Sequence, residues 1–213
     1  MKGLIVAGIG TDVGKTVASA VVCEALSADY WKPIASGLAV GPGDDEAVSS
    51  LLGGAESRIH PCAYAFTQPL SPHVAAALDG CQIDLAKCEL PSSSAPVVVE
   101  LAGGVLVPLD NEHTNLDLVS RLGLPVLLVS KHYLGSINHT LLSLEALRSR
   151  GIPVLGVLFN GEELPDSERI IERMGQVAAL GRIPNLPCVD REAVVRVASG
   201  LRESIGAAIR AVR

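Results

Sequence analysis

The chain has 213 residues, of which 48% are hydrophobic and 19% charged, with a formal net charge of −6. This length and composition suffice for one substantial core, and we predict a single domain over residues 1–213. The acidic balance, without any Lys/Arg cluster, disfavours nucleic-acid binding. No apolar run approaches the roughly 20 residues that cross a bilayer, so no membrane association is expected.

The five cysteines are scattered along the chain, and none belongs to a C-x-x-C pair. This spacing argues against a disulfide framework and against a zinc site. A predicted strand begins at residue 3, which leaves no room ahead of it for a signal peptide. We therefore expect a cytoplasmic protein whose thiols are reduced.

Apolar runs of strand length alternate with amphipathic segments of helix length. The predicted strands are residues 3–8, 30–34, 96–101, 124–130, 153–159 and 178–183. The predicted helices cover about 15–28, 45–53, 72–79, 115–122, 136–150, 166–174 and 191–212. Several strands are continuous Val/Leu/Ile runs, which is typical of strands covered on both faces. The sequence therefore predicts an α/β fold, a single doubly wound, mainly parallel sheet flanked by helices.

Residues 8–16 read GIGTDVGKT and follow the first predicted strand. They match the phosphate-binding pattern G-x-x-x-x-G-K-[ST] except for one additional residue. Glycines let backbone N–H groups face phosphate oxygens, and the helix that follows adds the positive end of its dipole. We expect Lys15 to neutralise the β- and γ-phosphates and Thr16 to bind Mg²⁺. The same residues can also simply cap a helix, but the strand before and the helix after favour a nucleotide site.

Other polar residues lie at the ends of predicted strands, where ligands bind in open α/β sheets. Glu100 ends the buried run VVVE, so it either faces a metal or is satisfied by backbone N–H groups of the next turn. The acidic residues of GDDEA, residues 43–47, either supply a second Mg²⁺ ligand or only open a helix. Lys32 in WKPIASG is either a clamp on a transferred phosphoryl group or an edge lysine that reaches solvent.

An ordered set of motifs resembles dethiobiotin synthetase from residue 3 to about residue 190: GTDVGKT, WKPIASG, LSPH, VELAGG and LGSINHTLL, with Asn160 at a strand end. The resemblance implies a P-loop cyclo-ligase of biotin biosynthesis. Such an enzyme uses ATP and Mg²⁺ to join CO₂ to 7,8-diaminopelargonic acid and close the ureido ring of dethiobiotin. The resemblance also implies a homodimer with the substrate site at the subunit interface.

The resemblance further implies roles for individual residues. Lys32 and Lys15 are the catalytic cations, and the Mg²⁺ set is Thr16, Asp45 and Glu100, with Asp45 preferred to Asp44 in a register uncertain by one. ATP is expected to contact Asp12, Val13, Gly14, Lys15, Thr16, Val17, Asp45, Glu100, Gly103, Asn160, Gly161, Pro184 and Leu186. The diamine or its carbamate is expected to contact Thr11, Ser36, Leu134, Gly135, Ser136 and Asn138, the last four from the second subunit.

Two other functions compete with this one. A P-loop switch ATPase that binds a protein or membrane partner carries a second lysine four residues before the last loop glycine, where this chain has Gly10. An amidotransferase domain needs a Cys–His pair to hydrolyse glutamine, and no cysteine here lies in a nucleophile-like turn. The chain also departs from the family at Leu101, which replaces a glycine and predicts a different turn after Glu100.

Overall fold

The computed structural model describes residues 2–212. The strands are β1 (Gly3–Gly8), β2 (Asp29–Trp31), β3 (Ile34–Ser36), β4 (Ile59–His60), β5 (Tyr64–Phe66), β6 (Val97–Gly104), β7 (Val126–Lys131), β8 (Val154–Asn160) and β9 (Ala179–Ile183). The helices are α1 (Lys15–Leu26), α2 (Asp44–Leu51), α3 (Pro72–Leu78), α4 (Asn115–Leu122), α5 (Ser136–Ser149), α6 (Pro165–Gly175) and α7 (Arg191–Ala211).

Seven strands form one sheet in the order β4-β2-β6-β1-β7-β8-β9, and all neighbouring pairs in it are parallel. Helices flank the sheet, so the prediction of a doubly wound α/β fold is confirmed. After β1 the chain adds β2 and β4 on one side of β1, and β6 then fills the place between β2 and β1. After β6 the chain adds β7, β8 and β9 on the other side of β1. Strand order therefore reverses around β1 and β6, and ligands bind at the carboxyl ends of such strands.

The predicted strand over residues 30–34 is interrupted at Pro33, which has no N–H for a sheet hydrogen bond. β2 ends at Trp31 and stays in the large sheet, whereas β3 begins at Ile34 and pairs with β5 in a separate two-stranded sheet. β4 and β5 are only two and three residues long, too short to show a period in the sequence.

The effect of Leu101 on the shape of the turn that the family has after the glutamate stays a prediction. β6 continues without a turn through Leu101, which is buried, as far as Gly104. Glu100 itself lies opposite Val6 of β1, and Trp31 of β2 lies opposite Val99. This register brings the residue after Trp31, Lys32, beside Glu100 at the carboxyl edge of the sheet. Within residues 2–212, none of the helices is long and apolar enough to cross a membrane.

Candidate active site

The loop between β1 and α1 depends on a glycine at its last position. Gly14 caps α1 with φ of 89°, in the left-handed region that disfavours side chains. A Cβ at this position would lie 2.1 Å from Nδ2 of Asn160, so the space is closed as well. The side-chain amide of Asn160 donates to the carbonyl of Val13 at 2.8 Å, which joins the end of β8 to the loop.

Replacing Gly14 by alanine is expected to destabilise the fold and to weaken nucleotide binding. The left-handed conformation alone costs about 1–2 kcal/mol, and the clash with Asn160 adds to that cost. Gly54→Ala is the matched control, because Gly54 has φ of 77° but nothing within 4 Å of its Cβ position. Thermal unfolding and ATP titration of both variants check this. Equal losses in the two variants would contradict the packing of Asn160 against the loop.

The loop lysine is buried and held by the loop itself. Lys15 is 7% exposed, and its Nζ donates to the carbonyl of Gly10 at 2.9 Å. Burial lowers the pKa of Lys15, an effect that the charge of Glu100 opposes. The ammonium of Lys15 therefore lies beneath the loop, where an oxygen of a phosphate group can replace the carbonyl oxygen of Gly10 as its hydrogen-bond acceptor.

Four side chains meet beside the first turn of α1. The hydroxyl of Thr16 donates to Oδ1 of Asp44 at 2.6 Å and to Oε1 of Glu100 at 3.3 Å. The ammonium of Lys32 bonds Oδ2 of Asp44 and lies 3.2 Å from Oε1 of Glu100. Lys32 and Glu100 are 7% and 1% exposed. The cluster therefore places one buried cation between the buried carboxylate of Glu100 and the partly exposed carboxylate of Asp44.

The charges of this cluster stabilise one another. Burial by itself lowers the pKa of Lys32, but the charges of Glu100 and Asp44 and the hydrogen bonds to them outweigh burial and raise that pKa above its ordinary value. Burial likewise acts to raise the pKa of Asp44, whereas the charge of Lys32 and the hydrogen bonds from Lys32 and Thr16 hold it below its ordinary value. Lys32 is charged and Asp44 ionised at neutral pH.

The structure places Asp44, and not the preferred Asp45, beside Thr16 and Lys32. Asp44, the first residue of α2, contacts Thr16 and Lys32, whereas Asp45 lines a different cavity on the outer side of α2. Successive helical residues point about 100° apart, so only one of the pair can face the loop. The acidic run predicts a carboxylate here, but its register depends on where α2 begins.

A cavity of about 600 Å³ opens above the cluster. Seventeen residues line this cavity, and four of them form the segment 69–72. Ten of the other thirteen are residues that the sequence predicts for the site: Thr11, Asp12, Gly14, Lys15, Thr16, Val17, Lys32, Ser36, Glu100 and Gly103. The hydroxyl of Ser36 is buried and has no partner within the described chain, so it is free to bond a ligand. Among residues 2–212, no cysteine or histidine lines this cavity.

The predicted base-binding residues lie together on the other side of the loop. Asn160 ends β8, and the N–H of Gly161 donates to the carbonyl of Ile183 at 2.9 Å, immediately before Pro184. Leu186 packs against the core. With the nitrogen of Asn160 bonded to Val13, its carbonyl oxygen is the atom that can accept from a ligand. These residues do not line the cavity above the cluster.

The segment from Leu134 to Asn138 also lies outside that cavity. Leu134 is fully exposed, and Gly135 caps α5 with φ of 104°. Ser136 is buried, and its N–H donates to the carbonyl of Tyr133 at 2.9 Å. Within one subunit, therefore, these residues do not meet Lys32 or Ser36. Their contribution to a partner's site stays a prediction.

Sequence reasoning misses Tyr30. Its hydroxyl donates to Oε2 of Glu100 at 3.1 Å, and the residue is fully buried. The signal available in the sequence is the strand period of two, which places Tyr30 of β2 and Lys32, the residue just after β2, on the same side of the sheet.

The oxygen atoms of the cluster fit a magnesium ion. Mg²⁺ in phosphoryl-transfer sites binds one or two protein oxygens and completes its shell with phosphate and water. The cluster offers the hydroxyl of Thr16 together with one carboxylate oxygen of Asp44 and one of Glu100, which lie 2.6 Å and 3.3 Å from that hydroxyl. No group of three or more His, Cys, Asp or Glu within residues 2–212 offers an all-protein metal site. These three oxygens suit an ion that the protein would share with the phosphates of a nucleotide.

Comparison with known proteins identifies the family. A model described as an AAA domain matches residues 2–193. The chain is 45% identical over 204 residues to the ATP-dependent dethiobiotin synthetase of Christiangramia forsetii, covering 96% of this chain and 98% of that protein. It is 49% identical to that of Rhodopseudomonas palustris strain TIE-1, covering 90% of each. The chain belongs to the dethiobiotin synthetase family.

A longer relative and two solved structures are similar to this chain in a more limited way, either in the length covered or in sequence identity. The chain is 48% identical to the biotin biosynthesis bifunctional protein of Bordetella avium but spans only 42% of its length. Among solved structures, a ParA family ATPase from Chlorobium tepidum has a TM-score of 0.57 at 12% identity, covering 98% of this chain and 99% of that one. A chain of the MinC:MinD cell division protein complex of Aquifex aeolicus has a TM-score of 0.58 at 15% identity, covering 98% of this chain and 96% of that one. At these identities the likeness to the two solved structures shows the fold alone.

Proposed function

We propose that this chain is an ATP-dependent cyclo-ligase that closes the ureido ring of dethiobiotin from 7,8-diaminopelargonic acid and CO₂, in biotin biosynthesis. The observation that carries the proposal is the buried Lys32 between Asp44 and Glu100, in a cavity that the loop lysine, Lys15, also lines. Nearly full-length relatives named for this activity support it. A cytoplasmic location belongs to the same proposal.

The reaction needs no protein nucleophile. One amine of the diamine adds to CO₂ and loses a proton, which gives a carbamate. A carbamate oxygen attacks the γ-phosphorus of ATP, ADP leaves, and a carbamic–phosphoric anhydride forms. The second amine then attacks the carbamate carbon and releases phosphate. A cavity without cysteine or histidine among its described lining residues is compatible with this sequence of steps.

The two buried lysines supply the charge that the first transfer requires. Carbamate and ATP are both anions, so their approach needs fixed positive charge close to the reacting atoms. Lys32, held charged by Asp44 and Glu100, orients the carbamate and stabilises the charge on the transferred group. Lys15 binds the β- and γ-phosphates once it releases the carbonyl of Gly10. Positioning and charge account for the catalysis of phosphoryl transfer.

Thr16, Asp44 and Glu100 are the residues that would hold Mg²⁺. When bound, the ion neutralises charge on the β- and γ-phosphates. The protein's own part is to keep these three oxygens converged, through the hydrogen bonds from Thr16 to both carboxylates. The residues that would surround the phosphates are Asp12, Val13, Gly14 and Val17, with Gly103 near the end of β6. Asn160, Gly161, Pro184 and Leu186 would contact the base.

Thr11 and Ser36 are the proposed contacts of the diamine within the same subunit. Ser36 offers its unpartnered hydroxyl. Thr11 lines both the nucleotide cavity and a neighbouring cavity of about 380 Å³ between the loop and α5. The substrate can thus extend from the phosphates past Thr11 toward α5.

We propose a homodimer because the outer side of that second cavity is apolar and exposed. Leu106 and Leu142 line it and are 59% and 58% exposed, and Leu134 nearby is fully exposed. A second copy that covers this face would bury these side chains. It would also bring Leu134, Gly135, Ser136 and Asn138 to its neighbour's diamine, where the N-terminus of α5 favours a carboxylate.

Mixing two inactive variants tests this arrangement. Lys32→Met removes a group of one subunit's own site, and Gly135→Asp places a negative charge at the proposed carboxylate contact of the partner's site. In a symmetric dimer mixed at random, half of the molecules contain one intact site, so activity should return to about a quarter of the wild-type value. Activity that stays absent after exchange of subunits would contradict a shared site. Lys32→Met mixed with itself is the control.

A coupled assay tests the proposed activity. Purified protein is incubated with ATP, Mg²⁺, bicarbonate and the diamine, and dethiobiotin and phosphate are measured together. We expect equal amounts of the two products and little phosphate without the diamine. The relatives do not favour the alternative, a switch ATPase that binds a protein or membrane partner. Phosphate release that is independent of the diamine and gives no ring product would support that alternative and contradict the proposed synthetase activity.

A further inference from the structure

The two oxygens of the Glu100 carboxylate have different partners. Oε1 accepts from Lys32 at 3.2 Å and from Thr16 at 3.3 Å, on the side of the cavity. Oε2 accepts from the hydroxyl of Tyr30 at 3.1 Å, inside the core. Glu100 is 1% exposed and Tyr30 fully buried, so water does not replace this contact.

Strand geometry explains why both donors reach one carboxylate. β2 and β6 are parallel neighbours, with Tyr30 opposite Val98 and Trp31 opposite Val99. Side chains two residues apart on an extended chain point to the same side, so Tyr30 of β2 shares a side of the sheet with Lys32 just after it, and Val98 and Glu100 share a face of β6. Tyr30 therefore reaches Glu100 from the core side, whereas Lys32 reaches it from the cavity side.

We propose that Tyr30 is a positioning residue whose hydroxyl holds Oε2 of Glu100, so that Oε1 stays directed at Thr16 and the metal position. This inference rests on the role of Glu100 in the proposed function. Nothing in the motifs that carry the family resemblance includes Tyr30. The residue acts through Glu100 and does not contact the nucleotide cavity.

The hydroxyl is suited to this role because a phenol donates one hydrogen bond, and this one lies in the core beside Oε2. Without it, Oε2 is a buried carboxylate oxygen that lacks a partner, and the carboxylate gains by turning both oxygens toward Lys32. Such a turn takes Oε1 away from Thr16.

Tyr30→Phe tests the proposal, since it removes only the hydroxyl and keeps the ring in the core. The affinity for the β,γ-imido analogue of ATP is measured by calorimetry, once with Mg²⁺ and once with EDTA, and the ratio of the two constants is the readout. Loss of a hydrogen bond behind a metal ligand commonly costs 10–100-fold in metal affinity. We expect the ratio to fall about 10-fold, and the Mg²⁺ concentration for half-maximal activity to rise in parallel.

Tyr64→Phe is the matched control. Tyr64 is also buried, and its hydroxyl accepts from the N–H of Asp84 at 2.9 Å, away from the nucleotide cavity. Its loss should lower stability, as a lost buried hydrogen bond does, but leave the Mg²⁺ ratio within twofold of wild type. An equal change of the ratio in both variants would mean that Tyr30 acts only through stability, which overturns the proposal.

A double-mutant cycle with Glu100→Gln separates this inference from the proposed function. If Tyr30 acts through Glu100, Tyr30→Phe has no further effect on the Mg²⁺ ratio once Glu100 is replaced. Independent losses in the double variant would overturn the positioning role. If the wild-type affinities with Mg²⁺ and with EDTA are nearly equal, the proposed metal set itself is contradicted. If the wild-type ratio is large and Tyr30→Phe leaves it unchanged, only the positioning role of Tyr30 is contradicted.

Discussion

Replacing Lys32 by methionine is expected to lower kcat for dethiobiotin formation by at least about 10³-fold, because a fixed cation that stabilises a transferred phosphoryl group contributes factors of this size. ATP binding should change far less, because Lys15 and the loop remain. Stability should also fall, by about 3 kcal/mol, since the substitution leaves Glu100 buried without its cation. Single-turnover kinetics, nucleotide titration and thermal unfolding measure the three effects.

Two controls separate charge from stability. Lys32→Arg keeps a cation between Asp44 and Glu100, so we expect a folded protein that is still slow because the guanidinium has a different shape. Lys87→Met removes an exposed lysine and should change neither rate nor stability. Near-normal turnover by Lys32→Met would remove Lys32 from the catalytic machinery, and equal losses in Lys87→Met would show that the assay reports something unspecific.

The second large effect is expected from Asp44, with its neighbour as the matched control. Asp44→Asn removes the carboxylate that accepts from Thr16 and Lys32, so kcat should fall by about 10²-fold and the Mg²⁺ requirement should rise by about 10-fold or more. Asp45→Asn removes the same charge one residue later, outside the cavity. We expect its kinetics to stay within twofold of wild type.

The pair decides the register of the metal-side carboxylate. The measurement is a Mg²⁺ titration of the initial rate for both variants at saturating ATP and diamine. If Asp45→Asn is the impaired variant and Asp44→Asn is not, the position of α2 relative to Thr16 is wrong. Equal impairment of both would point to the overall negative potential of the helix terminus instead of a direct contact.

Much of this site follows from sequence because strand ends and loop chemistry have strong local signals. The continuous apolar runs indicate the buried parallel strands; the loop follows β1 and Lys32 follows β2 at their carboxyl ends, and Glu100 lies within β6 beside them. Features that depend on distant packing do not follow. The split at Pro33, the choice of Asp44 over Asp45 and the hydrogen bond from Tyr30 to Glu100 each require knowing how neighbouring elements are placed in three dimensions.

The segment from Leu134 to Asn138 shows a different limit. Its motif predicts a ligand contact, but in one subunit these residues stay outside the cavity that holds Lys32. Local pattern cannot say which subunit a residue serves, because that depends on a surface formed between two chains. The exposed leucines beside the segment are the physical reason to place a second copy there.

In the proposed reaction a carbamate oxygen attacks the γ-phosphorus of ATP, and an isotope experiment follows that oxygen into the products. The protein is supplied with ATP, Mg²⁺, the diamine and freshly dissolved C¹⁸O₂, and the products are analysed by mass spectrometry before the label exchanges with water. We predict one ¹⁸O in each phosphate released and one in the ring carbonyl of dethiobiotin. Phosphate that carries no label from CO₂, but takes up ¹⁸O from labelled water, would show that water and not a carbamate oxygen attacks the γ-phosphorus.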